Sequence, residues 1–324
     1  MKIFITRPIP EAGIESLKDA LDDAQIEVGR EDRVISRETL LEGVKGADAI
    51  MSMLSDRMDG EAMDAAGPQL KVVANFAVGY DNIDVAEARR RGIHATNTPG
   101  VLTEATADLA WTLIMCAARR AGEGERLLRA GAWEGWGPQQ LLGVSVFGQI
   151  LGIFGMGRIG QAVARRARGF NMTVLYHDAN RLDSETETQL SATFVDKDTL
   201  LAQSDIVSIH CPLTEQTRHA FTLAEFRRMK PTAVLVNTSR GPVVKEEDLI
   251  LALKEGVIFG AGLDVYEREP EVHKALLREE RAVLLPHLGS ATMETRNAMA
   301  RTAAANIVAA LRGERPRDCV SCCA

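Results

Sequence analysis

The stretch QILGIFGMGRIG, residues 149–160, decides the fold of this 324-residue chain. Its first half is an apolar run of the kind that forms a buried strand, and Gly155, Gly157 and Gly160 then spell G-x-G-x-x-G. An amphipathic, helix-like segment follows as far as Phe170. Strand, glycine turn and helix in this order predict a nucleotide-binding unit of a parallel α/β sheet.

Each glycine of this motif has a separate physical role. Gly155 permits the tight turn out of the strand, Gly157 lets a pyrophosphate approach the backbone, and Gly160 lets the helix pack closely on the sheet. The first helical turn, with Arg158 and Ile159, offers N–H groups and a positive dipole end to the phosphates. A glycine-rich turn without a ligand is the alternative, and the complete order of elements disfavours it.

A second apolar run, Met172–Tyr176, leads to Asp178, which lies 18 residues after Gly160. A carboxylate at this place accepts hydrogen bonds from a ribose and repels a 2′-phosphate. We therefore expect NAD(H) as the cofactor, with NADP(H) disfavoured. Arg181 is close enough in sequence to weaken that preference.

Apolar, strand-like runs alternate with helical segments nearly throughout, which predicts the α/β class with parallel sheets. The long predicted helices are Glu104–Arg120 with Thr103 as N-cap, Lys245–Lys254 closed by Gly256, and Thr292–Arg312. The predicted strands are Lys2–Thr6, Ala49–Leu54, Lys71–Ala77, Ile93–Asn97, Ile150–Phe154, Thr173–Tyr176, Asp205–His210, Ala233–Asn237, Ile258–Leu263 and Val283–Leu285.

Composition excludes several classes of protein. With 46% hydrophobic and 26% charged residues the chain can bury a core, and its formal net charge of −7 argues against a nucleic-acid partner. No apolar run approaches the ~18 residues of a membrane span. Met1–Thr6 is too short for a signal peptide, so we expect a cytoplasmic protein.

Five cysteines occur, and none shows the spacing of a strong metal motif. Cys116 and Cys211 lie in apolar segments and are expected to be buried. Cys319, Cys322 and Cys323 crowd the last six residues, where we expect a frayed, disulfide-free tail. The alternative is a metal or redox site. No histidine joins these cysteines along the chain, so we predict no metal.

Arg240, Glu269 and His287 each lie in a loop after a strand-like run, where ligands bind in open parallel sheets. Hydride transfer to a carbonyl needs a cation to orient an anionic substrate, a proton donor, and a group that keeps the donor charged and aimed. Arginine suits the first role because its planar fork clamps a carboxylate. Histidine suits the second and a neighbouring carboxylate the third. The three residues are predicted to fill these roles in turn.

Each member of this trio has an alternative reading. Arg240 would otherwise be a surface ion-pair residue, Glu269 a solvated carboxylate, and His287 a hydrogen-bonded core histidine. The remaining histidines show no ligand spacing and are predicted to be structural: His94, His177, His210, His219 and His273.

With these residues in place, the chain resembles the D-isomer-specific 2-hydroxyacid dehydrogenases, and it looks most like their glyoxylate/hydroxypyruvate reductase branch. The matching segments run in family order along nearly the whole chain: Ala77–Asp84, Leu151–Gln161, Asp205–Leu213, Val236–Val243, Gly262–Val265 with Glu269-Pro270, and Leu285–Thr292.

The resemblance implies two doubly wound parallel-sheet domains, Rossmann-like and flavodoxin-like, with the cofactor domain inserted into the substrate domain. Residues 1–100 and 290–324 would form the substrate-binding domain, and residues 101–289 the NAD-binding domain. This arrangement would explain why the glycine motif starts so late.

The resemblance also implies roles for individual residues. The N–H groups of Val78 and Gly79 would hold the substrate carboxylate, and Leu54, Ser55 and Ser290 would line the pocket. Arg240 would bind the substrate carboxylate and carbonyl, and His287, paired with Glu269, would be the acid/base. Further residues would hold the cofactor: Cys211, Pro212 and Thr238 along its groove, and Asp264 on the nicotinamide amide.

Relatives in the reductase branch close the active site with a tryptophan of the partner subunit, and Trp136 stands at the matching place. Simple packing in a dimer interface is the alternative for Trp136. The resemblance thus implies a homodimer.

The chain departs from the family pattern at two places. Cys319–Ala324 replaces the usual Asn-Pro ending, and Ala179 stands where NADPH-using relatives often carry arginine.

We therefore expect an NADH-dependent reductase of a small anionic 2-oxo acid, with glyoxylate as the first candidate and hydroxypyruvate as the second. Within enzymes, the rival is a phosphoglycerate or other D-2-hydroxyacid dehydrogenase. The rival of another class is an NAD-sensing, corepressor-like binding protein on the same fold.

Overall fold

The computed structural model describes residues 1–322 and divides the chain into two compact units. The first unit comprises Met1–Leu102 and the chain from Ser290 onward, and the second comprises Thr103–Gly289. Each unit is a parallel sheet with helices, so the predicted α/β class is confirmed. None of the helices within residues 1–322 combines the length and the apolar character that crossing a membrane requires.

The first unit is built on a five-stranded sheet in the order β2-β1-β3-β4-β5, in which every pairing is parallel. The strands are β1 (Lys2–Ile5), β2 (Gln25–Val28), β3 (Ala49–Ser52), β4 (Val72–Asn75) and β5 (His94–Thr96). The helices are α1 (Glu11–Ala20), α2 (Arg37–Gly43), α3 (Gly60–Ala66), α4 (Val85–Arg90) and α12 (Met293–Leu311).

The second unit is built on a seven-stranded parallel sheet in the order β12-β11-β10-β9-β6-β7-β8. The strands are β6 (Ile150–Phe154), β7 (Thr173–His177), β8 (Ala192–Phe194), β9 (Ile206–Ile209), β10 (Val234–Asn237), β11 (Gly260–Leu263) and β12 (Ala282–Leu284). The helices are α5 (Thr103–Ala118), α6 (Ala121–Arg129), α7 (Arg158–Ala167), α8 (Ser184–Leu190), α9 (Lys197–Gln203), α10 (Leu223–Phe226) and α11 (Glu246–Lys254).

Burial explains which strands were predictable. All residues of β3, β4, β9 and β10 are buried, so these strands consist mostly of apolar residues in the sequence. The sequence missed β2, a sheet-edge strand of alternating, partly exposed residues, and also the three-residue β8. Such short edge strands leave only a weak apolar signal.

The predicted helix ends are correct to within about two residues. Thr292 caps α12, and its hydroxyl accepts from the N–H of Thr295 at 3.1 Å. Gly256, with a φ of 69°, follows the end of α11 as expected of a glycine in that position. The predicted N-cap at Thr103 is wrong by one residue, since α5 begins with Thr103 itself.

The predicted frayed tail is wrong up to Cys322, because the tail packs along β5. The N–H of Val320 donates to Ala95 O at 2.8 Å, and the N–H of Ala95 donates to the Ser321 hydroxyl at 2.9 Å. Cys319 and Cys322 form a disulfide, which also contradicts the disulfide-free expectation. Cys323 lies outside the described residues.

Candidate active site

Six strand ends place the predicted site residues of the second unit on one edge of its sheet. Because all its strands run parallel, the carboxyl ends of β6, β7, β9, β10, β11 and β12 lie on the same side. These ends lead directly into Gly155, Asp178, the His210–Pro212 segment, the Thr238–Arg240 segment, Asp264 and the Leu285–His287 segment. This is the edge at which open parallel sheets bind ligands.

The glycine turn between β6 and α7 has the shape its sequence predicts. Gly155 has a φ of 99°, and a Cβ there would collide with the backbone of Cys211. A Cβ on Gly160 would collide with Gly155 O, whereas one on Gly157 would meet no atom within 4 Å. The space at Gly157 is therefore open on the outer side, where a ligand can approach the backbone.

The residues at this turn fit a dinucleotide phosphate. Gly157 is the N-cap of α7 and contributes no side-chain capping hydrogen bond, so the start of this ten-residue helix is open to an anion. Arg158 is exposed and Ile159 half-buried in the first helical turn.

Asp178 is tied to the glycine turn. Its Oδ2 accepts from the N–H of Met156 at 2.6 Å, and its Oδ1 accepts from the N–H of Asn180 at 2.9 Å. The carboxylate is thus held beside the loop that would carry the phosphates. Arg181 pairs instead with Glu187 at 2.9 Å, which engages its guanidinium in a local ion pair.

His287 and Glu269 form a direct pair, with 2.8 Å between Nδ1 and Oε2. His287 has a φ of 56°, and its N–H donates to Asp264 O at 3.0 Å, so its backbone is fixed in an unusual conformation. The other oxygen of Glu269 accepts from the N–H of Tyr266 at 3.0 Å. The side chains are 32% and 37% exposed, so both remain accessible to a small molecule.

The pKa of Glu269 is lowered. Burial acts to raise this pKa, but the hydrogen bond and charge of His287, the N–H of Tyr266 and the charge of Arg240 together outweigh it. The carboxylate is therefore ionised near neutral pH and stabilises a positive charge on the imidazole.

Arg240 lies in the loop after β10. The side-chain amide of Asn237 donates to Arg240 O at 2.9 Å, and the guanidinium Nη1 donates to Ser239 O at 2.9 Å. The next residue, Gly241, packs so closely that a Cβ would collide with the backbone of Tyr266. The Arg240 loop and the Glu269 loop are thus in contact. This agrees with the finding that the charge of Arg240 helps to lower the pKa of Glu269.

Asp264 is nearly completely buried at the end of β11. Its oxygens accept from the N–H groups of Leu288 at 2.6 Å and Gly289 at 2.8 Å. Burial raises the pKa of Asp264, although these hydrogen bonds and the charge of His287 oppose the rise. In this position Asp264 fixes the loop that carries His287.

The other expected groove residues lie after β9 and β10. Cys211 is buried, and burial raises the pKa of its thiol to about 12, so this cysteine is not a nucleophile. Pro212 is exposed, and the hydroxyl of the buried Thr238 lies 3.4 Å from Nδ1 of His210.

The remaining expected substrate residues lie in the first unit: Leu54 and Ser55 after β3, Val78 and Gly79 after β4, and Ser290 before α12. Two asparagines that the sequence analysis missed hold the Val78–Gly79 loop. The Nδ2 atoms of Asn97 and Asn75 donate to the carbonyl oxygens of Val78 and Gly79, each at 2.7 Å. No local sequence signal marks them, because their partners are fixed only by the fold.

A second histidine–carboxylate pair occurs in the second unit, with 2.6 Å between His219 Nε2 and Glu267 Oε1. Glu267 also accepts from the N–H of Glu246 at 3.1 Å, so this pair ties two loops together. A histidine–glutamate contact alone therefore does not identify the reactive pair.

Comparison with known proteins shows the family. Residues 111–289 match the family model of the D-isomer specific 2-hydroxyacid dehydrogenase, NAD binding domain. The chain belongs to this family. The resemblance seen in the sequence is thus confirmed, and the chain is an oxidoreductase that uses a nicotinamide cofactor.

Individual members of the 2-hydroxyacid dehydrogenase family match over almost the full chain. A glyoxylate reductase of Thermococcus gammatolerans is 51% identical over 324 residues, which cover 99% of this chain and 96% of the relative. A crystal structure of a Thermus thermophilus protein superposes with a TM-score of 0.92 at 42% identity, covering 99% and 100% of the two chains. The NADPH-dependent glyoxylate/hydroxypyruvate reductase of Sinorhizobium meliloti superposes with a TM-score of 0.83 at 34% identity, covering 98% and 97%.

Proposed function

We propose that this 2-hydroxyacid dehydrogenase reduces glyoxylate to glycolate with NADH, with His287 as the proton donor. The observation that carries the proposal is the contact between His287 and Glu269 at the strand edge that also bears the glycine turn, where the charge of Arg240 also acts on Glu269. Full-length relatives named glyoxylate reductase support the choice of substrate.

The trio divides the work of carbonyl reduction. Reduced nicotinamide, when bound, supplies the hydride. The guanidinium of Arg240 binds the substrate carboxylate and polarises the carbonyl. The protonated imidazole of His287 gives its proton to the carbonyl oxygen as negative charge develops there, and the ionised Glu269 keeps the imidazole charged and aimed until then.

NADH is the proposed cofactor because of Asp178. Its carboxylate is held beside the glycine turn, where it would accept hydrogen bonds from a ribose diol and repel a 2′-phosphate. Arg181 is paired with Glu187, and Ala179 offers no charge. Family membership alone leaves the choice open, since the Sinorhizobium meliloti relative is NADPH-dependent.

The proposed division of labour assigns cofactor binding to residues 101–289 and substrate binding to residues 1–100 with 290–324. In the substrate domain we assign carboxylate binding to the N–H groups of Val78 and Gly79. Leu54, Ser55 and Ser290 line the proposed pocket. Asn75 and Asn97 hold the loop that presents the N–H groups.

We propose a homodimer because large apolar residues between α5 and β6 are exposed. Trp136 is 83% exposed, and other large apolar side chains of this segment are exposed too: Leu128, Trp133, Leu142 and Phe147. So many exposed large apolar side chains in one segment are typical of an interface. We expect sedimentation to give a dimer, and Trp136→Ala to raise KM for glyoxylate if this tryptophan reaches the partner's site. Unchanged kinetics in a stable dimer would leave Trp136 with a packing role alone.

A spectrophotometric assay of NADH oxidation tests the function. The panel contains glyoxylate, hydroxypyruvate, pyruvate and phosphohydroxypyruvate, and we expect the highest kcat/KM with glyoxylate. A preference for phosphohydroxypyruvate would favour the phosphoglycerate dehydrogenase alternative. Tight NADH binding without turnover of any 2-oxo acid would favour a cofactor-sensing binding protein.

A further inference from the structure

Three potential metal ligands of the first unit lie together where the C-terminal segment packs against β5. We call this group, His94, Cys319 and Cys322, the tail cluster. Nδ1 of His94 lies 3.3 Å from Sγ of Cys322 and 3.7 Å from Sγ of Cys319. All three ligand atoms lie within 4.8 Å of one another.

The backbone around the tail cluster is fixed on both sides. His94 belongs to β5, and Cys319 forms a β-bridge with Thr96 of the same strand. The Ser321 hydroxyl donates to Ile93 O at 3.2 Å, and Nε of Arg89 donates to Ser321 O at 3.0 Å. The ligands are therefore presented by an ordered strand and a tail anchored to it.

The separations match those of a zinc site. Tetrahedral Zn²⁺ with Zn–S of about 2.3 Å and Zn–N of about 2.05 Å places nitrogen and sulfur about 3.6 Å apart. The two observed N–S distances, 3.3 Å and 3.7 Å, lie on either side of that value. The sulfurs, bonded to each other here, need to separate to about 3.8 Å, which rotation of their side chains can provide after reduction.

The imidazole is the observation that points beyond a simple disulfide. A structural disulfide needs no nitrogen donor, yet Nδ1 of His94 faces both sulfurs. Two thiolates in C-x-x-C order, together with one imidazole, form a soft-to-borderline ligand set that suits Zn²⁺.

We propose that the reduced tail cluster binds one Zn²⁺ through Cys319 Sγ, Cys322 Sγ and His94 Nδ1, and that oxidation to the disulfide expels the metal. The fourth coordination position is open to water or another donor. With hydrogen peroxide as the oxidant, each zinc-bound thiolate gives up one electron, both Zn–S bonds and the Zn–N bond break, one S–S bond forms and Zn²⁺ leaves to solvent. The O–O bond accepts the two electrons, and with two protons the peroxide becomes two waters. A dithiol reductant reduces the disulfide back to two thiols.

Metal binding by the full-length protein tests this proposal. Metal-free protein is reduced under anaerobic conditions and titrated with Zn²⁺ against a chromophoric chelator. We expect one high-affinity Zn²⁺ per chain after reduction and none in the oxidised protein. Co²⁺ in place of Zn²⁺ should give thiolate-to-cobalt charge-transfer absorption, and hydrogen peroxide should abolish it while releasing the metal.

Variants assign the ligands. Cys319→Ser, Cys322→Ser and His94→Asn should each lower Zn²⁺ affinity by about 100-fold or more, since even outer groups around a metal change affinity by about 10- to 100-fold. Cys116 is a free, half-buried cysteine of the other unit. The matched control is therefore Cys116→Ser, which should bind Zn²⁺ normally. Circular dichroism checks that each variant folds.

Two results would overturn the proposal. One is the failure of the reduced unmutated protein to take up Zn²⁺ or to develop the cobalt–thiolate absorption, a measurement that does not depend on any variant folding. The other is equal Zn²⁺ affinity in the folded Cys319→Ser variant. Either would leave the two cysteines with the role of a disulfide staple alone.

Discussion

Nδ1 of His287 lies 2.8 Å from Oε2 of Glu269, although 18 residues separate them along the chain. The ends of β11 and β12, which lie side by side in the sheet, lead into the two loops that bring the residues together. Asp264 fixes one of these loops through two N–H groups, so the pair is positioned by buried structure and not by its own attraction alone.

Replacing His287 tests the proposed proton donor. His287→Gln keeps a side chain of similar size but removes the transferable proton, so we expect kcat to fall by about 10²- to 10⁴-fold. NADH affinity, measured by fluorescence titration, should change little. An unaffected kcat would refute the assignment.

The second histidine pair supplies a matched control. His219 contacts Glu267 as closely as His287 contacts Glu269, and it too lies in the second unit. His219→Gln should therefore leave kcat nearly unchanged, even if it lowers the melting temperature by loosening two loops. A loss of kcat equal to that of His287→Gln would show that the choice between the two pairs is wrong.

Glu269→Gln tests the proposed partner of the proton donor in glyoxylate reduction. Without the negative partner the imidazolium is less stable, so we expect kcat/KM at pH 7 to fall by about tenfold or more. An unchanged kcat/KM in the folded variant would mean that the charge of Glu269 has no part in the reaction.

The same substitution has a second signature in stability. Because the pKa of Glu269 is lowered in the folded protein, its ionised form stabilises the fold above the ordinary value of 4.5. That contribution is lost as the pH falls through the lower folded pKa. The difference in melting temperature between the unmutated protein and Glu269→Gln should therefore shrink on acidification from pH 7 to below pH ~4. A difference in melting temperature that stays constant over this pH range would contradict the stabilising role of ionised Glu269.

The parallel architecture explains why so much was predictable from the sequence. In a parallel sheet every loop after a strand reaches the same edge, so the positions of Arg240, Glu269 and His287 in such loops predicted that all three lie at that edge. The glycine turn was predictable because Gly155 and Gly160 each answer a local requirement of the backbone, and Gly157 completes the motif between them.

What the sequence did not predict depends on contacts between distant segments. The tail lies against β5, and the cluster it forms joins His94 to Cys319 across 225 residues. Asn75 and Asn97 hold the Val78–Gly79 loop through carbonyl oxygens that no sequence pattern marks. Exposed edge strands such as β2 bury too little apolar surface to leave a pattern.

Asp178→Ser tests the proposed cofactor preference. Removal of the carboxylate removes both a ribose acceptor and the repulsion of a 2′-phosphate, so the NADH-to-NADPH ratio of kcat/KM should fall by at least about tenfold, or about 1.4 kcal/mol. Arg181→Gln is the control, because its guanidinium is already paired with Glu187. It should leave the ratio nearly unchanged. Equal use of both cofactors by the unmutated protein would contradict the assignment.

Two alanine substitutions in one turn should separate cofactor binding from folding. Gly157 has a φ of −71°, which alanine adopts without strain, and its Cβ would enter open space. Gly157→Ala should therefore fold normally but weaken NADH binding by about tenfold or more, because the methyl group occupies the place of the pyrophosphate.

The Cβ of Gly160→Ala would instead collide with Gly155 O, so we expect a loss of about 1–3 kcal/mol in the free energy of unfolding. Calorimetry and NADH titration on both variants check this, and normal NADH affinity in a folded Gly157→Ala protein would place the pyrophosphate elsewhere.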